Sequence, residues 1–157
     1  MADIGLMGEL EVMEYLKKEK GHKIYIPLKD VGLDFLSVGK KGFYGIQVKT
    51  STFQKNSYFW FDLYRNKMIY SKSVFYVLVC KSLKRRRLLG KSRNFIVLPS
   101  LTIKKWIKTG AIKRKKNSRN VFNIFVYPST TSQKWVYHNK GKELDLTRYW
   151  NNFNRIK

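Results

Sequence analysis

The stretch GLDFLSVGKKGFYGIQVKTS, residues 32–51, decides the expected fold. It holds two short apolar runs, LDFLSV and FYGIQVKTS, joined by the glycine-rich turn GKKG, a pattern typical of an antiparallel hairpin. Side chains alternate along a strand, so Gln47 and Lys49 share one face of the second run. The hairpin is therefore expected to bring Asp34, on the first run, beside Gln47 and Lys49.

A helix is expected over residues 4–20, which carry apolar side chains at helical spacing and are followed by Gly21, a residue suited to end a helix. Glu9 falls near the middle of the apolar arc, where a carboxylate is costly unless a cation or hydrogen-bond donors meet it. The alternative is a slightly rotated helix with Glu9 at the rim of the arc. Packed against the hairpin, the helix can deliver Glu9 to Asp34. The expected arc comprises Leu6, Leu10, Val12, Met13 and Leu16.

Two carboxylates and an amide oxygen at one place suit a hard divalent cation such as Mg²⁺, which prefers oxygen ligands and keeps several waters. Glu9, Asp34 and Gln47 are therefore the predicted metal ligands, with Mn²⁺ as a substitute for Mg²⁺. Lys49 at the edge of such a site can orient or deprotonate a metal-bound water and balance charge on a phosphate. Together these four residues form the predicted catalytic set for phosphodiester hydrolysis.

The ordered set on helix, strand and strand resembles the PD-(D/E)XK nuclease superfamily, and most closely the archaeal Holliday junction resolvases. The matching pieces are GELEV with Glu9, GLDFL with Asp34, and IQVK with Gln47 and Lys49, all within the first 52 residues. The resemblance implies an α/β fold with a restriction-endonuclease-like core, in which a central mixed β-sheet is flanked by helices. It also implies a homodimer that cuts two DNA strands symmetrically.

Gln47 departs from the family pattern, which usually has an acid at this place. An amide oxygen can still coordinate a metal ion but brings no charge, so the affinity for the cation should fall. Some similar proteins, including a type of intron-encoded homing endonuclease, also have Gln here.

The charge is strongly one-sided, because 33 Lys and Arg against 10 Asp and Glu give a formal net charge of +23. Between Asp62 and Glu143 the chain has no acid at all. A nucleic acid is the expected partner of such a chain, ahead of a merely solvated surface or an anionic lipid. The predicted nucleic-acid contacts are Lys40, Lys41, Lys84, Arg85, Arg86, Arg87, Lys113, Arg114, Lys115 and Lys116.

The rest of the chain is expected to complete the sheet. Residues 1–157 are predicted to form one domain, with the motif-bearing helix and hairpin in 1–52 and the sheet completion and basic nucleic-acid-binding part in 53–157. Further strands are expected in SVFYVLVC, NFIVLP and VFNIFVYP, the first of them central. A helix is expected in SLTIKKWIKTG, with Ser100 as N-cap and Leu101, Trp106 and Ile107 inward, and a closing helix in LDLTRYWNNFNRI.

Several functional classes are not indicated. The chain has no run of about 18 apolar residues, so no membrane partner is expected. The N-terminal MADIGLMGELEVM does not resemble a signal peptide, and a cytoplasmic location is expected. Cys80 lies in an apolar run and is expected to be a buried strand residue. Trp60 and Tyr58 suit either stacking on unpaired bases or packing in the core or at a dimer interface.

The leading functional hypothesis is a Mg²⁺-dependent endodeoxyribonuclease, structure-selective as a Holliday junction resolvase is. A homing, restriction or repair enzyme of the same superfamily remains open, because the C-terminal two-thirds would set the substrate. Two alternatives are not enzymes. A relative that only binds nucleic acid would not need Glu9, Asp34 and Lys49. The hypothesis of a basic RNA-binding or ribosome-associated protein explains the charge, but it makes the convergence of these three residues a coincidence.

Overall fold

The computed structural model describes residues 3–53, 57–82 and 87–157. Within these ranges the chain forms two helices and nine strands. They are α1 (Ile4–Lys20), β1 (Lys23–Tyr25), β2 (Phe35–Gly39), β3 (Gly42–Thr52), β4 (Phe59–Tyr64), β5 (Val74–Lys81), β6 (Phe95–Pro99), α2 (Ser100–Lys108), β7 (Val121–Ser129), β8 (Lys134–Asn139) and β9 (Lys142–Asp145).

The first sheet has the strand order β1-β2-β3-β5-β6. It is mixed, because β3 runs parallel to β5 while the other neighbours are antiparallel. The predicted hairpin is present, with Phe35 opposite Ile46 and Gly39 opposite Gly42. Strand β5 is buried over nearly its whole length, as its continuous apolar run predicts for an interior strand. The expectation of a mixed α/β fold around a central sheet is confirmed.

Helix α1 covers one face of this sheet and buries Gly8, Val12 and Leu16, with Ile46 and Val48 among the residues beneath it. The predicted bounds of the helix are confirmed, and Gly21 ends it in the left-handed conformation. The predicted arc is partly wrong, because Leu6 and Leu10 are 51% and 54% exposed. The helix is rotated so that Gly8 meets Thr50, where a Cβ would overlap the Thr50 hydroxyl.

The other face of the first sheet packs against a second, antiparallel sheet with the order β4-β7-β8-β9. A separate second sheet was not expected from the sequence. Strand β4 has the alternating pattern of a sheet with one buried face. Phe59, Phe61 and Leu63 are buried, while the residues between them face outward. Strands β8 and β9 are joined at Lys140 and Gly141, both at positive φ, which suits a tight hairpin turn.

Helix α2 packs on the side of the second sheet, so the first sheet has a helix on each face. Ile103 is buried, and Trp106 and Ile107 pack partly against the core, whereas Leu101 is 40% exposed and its predicted inward position is wrong. Ser100 is not the N-cap, because Pro99 holds that place. The Ser100 hydroxyl instead accepts the Ser71 N–H and donates to the Ser71 carbonyl, at 2.9 and 2.8 Å.

The closing helix is wrong, since only Thr147–Tyr149 forms a short 3₁₀ turn. The apolar residues of this segment pack into two different cores, whereas one face of a helix would pack into a single core. Leu146 is buried on the side of the second sheet, whereas Phe153 and Ile156 are buried beside α1. Between them Asn151 pairs with the edge of β6, accepting the Phe95 N–H through Oδ1 and donating its own N–H to the Phe95 carbonyl.

In the part of the chain that the structure describes, neither helix is long and apolar enough to cross a membrane. Cys80 is buried on β5, as expected, and burial raises the pKa of its thiol well above the usual range.

Candidate active site

Asp34 lies directly before β2, and its backbone N–H donates to the Ile46 carbonyl, which continues the hairpin ladder by one residue. This backbone bond turns the carboxylate toward β3. Its Oδ2 accepts the Gln47 side-chain amide at 2.7 Å and the Val48 N–H at 2.5 Å. The structure thus brings Asp34 and Gln47 into direct contact.

The Asp34 carboxylate is held where its charge is costly. Burial raises the pKa of this carboxyl above its ordinary value, and the nearby Asp30 acts in the same direction. The Val48 N–H, Lys49 and Lys67 oppose this rise in pKa but do not cancel it. A carboxylate with an upward-shifted pKa gains from any cation that binds beside it.

Glu9 is half-buried on α1, at the rim of the helix face that packs on the sheet. The rotated helix, and not the centred position, is therefore correct. Burial raises the pKa of Glu9, and the Asp34 charge raises it further, while Lys49 lowers it. Within the described residues the Glu9 carboxylate has no hydrogen bond or ion pair, so the structure places it near Asp34 and Lys49 but leaves its oxygens without partners.

Lys49 lies on the same face of β3 as Gln47, opposite to α1. Its ammonium lies 5.7 Å from the centroid of the Tyr64 ring, at the end of β4. A small cleft opens here, with Gln47, Lys49, Tyr64 and Tyr76 among its lining residues. The candidate site therefore lies where the two sheets meet.

Two further residues belong to this neighbourhood and were missed by the sequence analysis. Lys67, in the 3₁₀ turn Arg65–Lys67, lines the same cleft, and its ammonium binds the Asp30 carboxylate at 2.5 Å. Lys67 lowers the pKa of Asp30, and Asp30 raises the pKa of Lys67. The two residues are 37 positions apart, and no motif links them in the sequence.

The free oxygen atoms show whether these residues fit a metal ion. Asp34 Oδ1 accepts no hydrogen bond from any residue that the structure describes, and the Glu9 carboxylate is likewise unpaired. Gln47 donates through Nε2 to Asp34, so its Oε1 would become a metal ligand once the amide turns away from Asp34. No group of three or more His, Cys, Asp or Glu residues suited to a metal is found among the described residues. The donor set of two carboxylates and one amide fits Mg²⁺ that keeps several waters.

The predicted nucleic-acid contacts are not gathered in one place. Lys40 and Lys41 are exposed at the β2–β3 turn, the end of the hairpin away from Asp34. Arg87 is exposed, whereas Lys84, Arg85 and Arg86 lie outside the described residues. The four basic residues Lys113, Arg114, Lys115 and Lys116 lie in the connection between α2 and β7.

This basic connection lies against the outer face of β4. Lys115 already has two partners there. Its ammonium binds Asp62 at 3.1 Å and lies 5.0 Å from the centroid of the Trp60 ring. Trp60 and Tyr64 are 40% and 45% exposed on the same outer face. Trp60 is therefore not a core residue, and an exposed aromatic and cationic face leads from Lys115 to Tyr64 beside Lys49.

No family model matches the chain, and no curated protein matches its sequence. A solved structure that is similar to it is that of D212, a nuclease from a fusselovirus. The two chains are 14% identical, the alignment covers 99% of this chain and 91% of that one, and the TM-score is 0.45. A likeness of this size does not indicate shared activity, so function has to be inferred from the side chains.

Proposed function

We propose that this protein is a Mg²⁺-dependent endonuclease that hydrolyses DNA phosphodiesters, with a site of the PD-(D/E)XK type. One observation carries the proposal. Asp34 is fixed by two hydrogen bonds to β3, while its other oxygen and the Glu9 carboxylate are left unpaired beside Lys49. Partly buried acids without partners are costly in a purely structural role, and a bound cation would offset that cost.

In this proposal Glu9, Asp34 and Gln47 hold the ion, and Mn²⁺ can replace Mg²⁺. The bound ion would polarise the phosphate and lower the pKa of a bound water. Lys49 lies close enough to Asp34 and Glu9 to affect the pKa of both, so it can orient the attacking water and balance charge on the phosphate. Lys67 adds a second positive charge to the cleft while it holds Asp30 in place.

DNA is the proposed substrate because the chain carries a net charge of +23. Each phosphate contact made by Lys or Arg releases condensed counterions, which favours binding to a polyanion of any sequence. The exposed face around Trp60, Lys115 and Tyr64 supports binding next to the candidate site. Branched DNA, as in Holliday junction resolution, is the proposed target, and the cytoplasm the proposed location.

A homodimer is proposed on the α1–β1 side of the molecule. A groove there is lined by four apolar and three charged residues, namely Leu10, Met13, Ile24 and Ile26 together with Glu14, Lys17 and Lys18. Five of the ten acids of the chain lie in residues 3–19, so two copies would repel each other least on this face. Exposed apolar side chains on α1 are Ile4, Leu6, Met7 and Leu10, and those at the end of β1 are Tyr25 and Ile26.

The deciding experiment is incubation with Mg²⁺ and a panel of linear, supercoiled, flap and four-way-junction DNAs, with Asp34→Asn as the matched control. The Asn oxygen can still accept the Val48 N–H, so this variant keeps the local structure and loses only the charge. Cleavage by the parent protein and none by Asp34→Asn is expected. Cleavage confined to four-way junctions would support the resolvase assignment, whereas cleavage of linear duplex at one sequence would favour a homing or restriction enzyme.

A non-catalytic nucleic-acid-binding protein is the second candidate, and one observation favours it. Gln47 satisfies Asp34 with a hydrogen bond and no metal ion. If the parent protein binds DNA but leaves every substrate intact at high Mg²⁺ and Mn²⁺, this candidate replaces the enzyme.

A further inference from the structure

A second cleft, of about 580 Å³, lies beyond the candidate active site, between the end of β4, the end of α2 and the basic connection to β7. Its volume falls within the range of small-molecule sites, about 300–1,000 Å³. The cleft combines apolar and cationic residues. Its lining consists of Arg65, Tyr70, Ile107, Gly110, Ile112, Lys113, Arg114 and Phe122.

The three cations of this cleft are free to bind an anion. Arg65, Lys113 and Arg114 form no ion pair with any described residue, in contrast to Lys67 and Lys115 nearby. None of the residues that line the cleft is acidic, and no acid occurs in the sequence between Asp62 and Glu143. No carboxylate from that part of the sequence would therefore compete with a phosphate for the three cationic side chains.

The end of α2 also borders the cleft, and the negative end of a helix would disfavour an anion. Two carbonyls at or just after this end of the helix are already occupied, however. The Trp106 carbonyl accepts the N–H groups of Ala111 and Ile112, and the Gly110 carbonyl accepts the Lys142 ammonium at 3.2 Å. The cationic side chains therefore set the sign of the potential in the cleft.

The interior of the cleft is suited to a flat apolar group. Ile112 and Phe122 are buried beneath it, and Ile107 and Tyr70 are partly buried at its sides. The Tyr70 hydroxyl contacts the Met68 sulfur at 3.4 Å, and the Lys104 ammonium lies 5.4 Å from the centroid of the Tyr70 ring. A nucleobase can stack on an aromatic ring and cover apolar side chains irrespective of its identity.

The position of the cleft links it to the candidate site. Arg65 follows Tyr64 directly, and the Tyr64 ring lies under the Lys49 ammonium. A DNA strand that has its phosphate at Lys49 and continues along the end of β4 reaches Arg65 next.

We propose that this cleft holds one unpaired nucleotide of the DNA, with its phosphate between Arg65, Lys113 and Arg114 and its base against Tyr70 and the apolar floor. The proposal rests on the proposed function and narrows its substrate class to DNA with unpaired nucleotides beside the cut. Bases inside a duplex are paired and stacked, so they cannot enter a concave cleft without first leaving the helix. Flaps and overhangs supply such a nucleotide at no cost in pairing, whereas a fully paired four-way junction would first have to open a base pair at its branch point.

The test measures binding in EDTA, where no cleavage occurs. Fluorescence anisotropy compares a blunt duplex with the same duplex carrying a short single-stranded tail. Replacing Arg65 and Arg114 by Gln should weaken binding of the tailed DNA about tenfold more than binding of the blunt duplex. The matched control, Lys40→Gln with Lys41→Gln, removes the same charge at the far hairpin turn and should affect both DNAs equally.

A second measurement reports on the base itself. With 2-aminopurine placed at successive tail positions, the parent protein should change the fluorescence strongly at one position near the duplex end. Tyr70→Leu should remove that change, while Tyr70→Phe keeps the ring and should retain it. Thermal unfolding of each variant checks that the fold is intact.

Equal losses on tailed and blunt DNA for both double variants, or no 2-aminopurine response at any position, would overturn the proposal. The cleft would then contribute only general positive charge. These readouts are independent of cleavage. A failure of the proposed nuclease function would appear as cutting by Asp34→Asn or no cutting at all, and would leave the tail preference measurable.

Discussion

Gln47 donates its side-chain amide to the Asp34 carboxylate at 2.7 Å, across neighbouring strands of the hairpin. The residue that replaces the acid of the resembling family is thus a hydrogen-bond donor to the acid that remains. In the proposed metal-bound state the amide would have to turn its oxygen toward the ion, which breaks this hydrogen bond. Gln47 therefore stabilises the metal-free site and competes with the metal.

Gln47→Glu should bring a second carboxylate against Asp34. In EDTA the two like charges should lower the melting temperature, and with Mg²⁺ the variant should regain more stability than the parent protein does. Half-maximal cleavage should occur at lower Mg²⁺, although the maximal rate need not rise, because tighter binding of the ion does not by itself speed the chemical step. Gln47→Leu, which lacks the oxygen, should need far more metal. Identical Mg²⁺ titration curves for all three proteins would show that Gln47 does not touch the ion.

Asp34→Asn should stabilise the metal-free protein at neutral pH. The pKa of Asp34 is raised in the folded state, so below its ordinary value of 3.8 the residue is protonated in both states and contributes nothing. As pH rises toward the folded pKa, the unfolded chain gives up its proton first, and the parent protein loses stability. The melting temperature of the variant should therefore exceed that of the parent by a margin that grows with pH and then levels off. Thermal unfolding in EDTA between about pH 3 and pH 8 measures this difference, and a margin that does not change with pH would contradict it.

Lys49 and Lys67 should differ in their effects. Lys49→Gln should reduce cleavage to the background of Asp34→Asn, because the ammonium beside the two acids is lost. Lys67→Gln should reduce cleavage less, since Lys67 also binds Asp30 and acts on Asp34 from farther away. Single-turnover cleavage rates at saturating Mg²⁺ compare the two variants. Equal rates for Lys67→Gln and the parent would exclude Lys67 from the site.

Salt should weaken DNA binding steeply, and the basic connection before β7 should account for part of the slope. Replacing Lys113, Arg114 and Lys116 by Gln should reduce the slope of log K against log salt by about 0.9 for each phosphate contact that is lost. Lys115 is left unchanged because it already binds Asp62. The Arg85–Arg87 run was also predicted to face DNA, and its triple Gln variant provides the comparison. An unchanged slope in either variant would mean that its residues do not face the nucleic acid.

The hairpin and its polar face could be predicted because both are local. A glycine turn and strict alternation fix which side chains share a face, so Asp34, Gln47 and Lys49 were placed together by short-range rules. The rotation of α1 could not be predicted this way. Gly8 contributes no hydrophobicity to a helical pattern, yet the close approach to Thr50 that it permits sets which side of the helix is buried.

The second sheet, Asp30 and Lys67 escaped prediction for a different reason. They depend on long-range packing, which leaves no spacing signal in one sequence. The segment after β9 was misassigned because its apolar residues have near-helical spacing but supply two cores on opposite sides of the first sheet. Residue type alone does not tell which core an apolar side chain will join.

The connection from β3 to β5 leaves the first sheet to build β4 in the second. The two parts of the proposed site therefore come from strands that pair over very different distances in the sequence. The proposed metal ligands Asp34 and Gln47 come from a hairpin with a short loop, which closes at little entropic cost and in microseconds. Tyr64 and Lys67 reach their positions only when β4 has paired with β7. The two strands are more than 50 residues apart in the sequence, as the Trp60–Asn123 separation of 63 positions shows. The part of the site proposed to hold the cation is thus local in sequence, whereas the part beside it on β4 depends on pairing between distant segments.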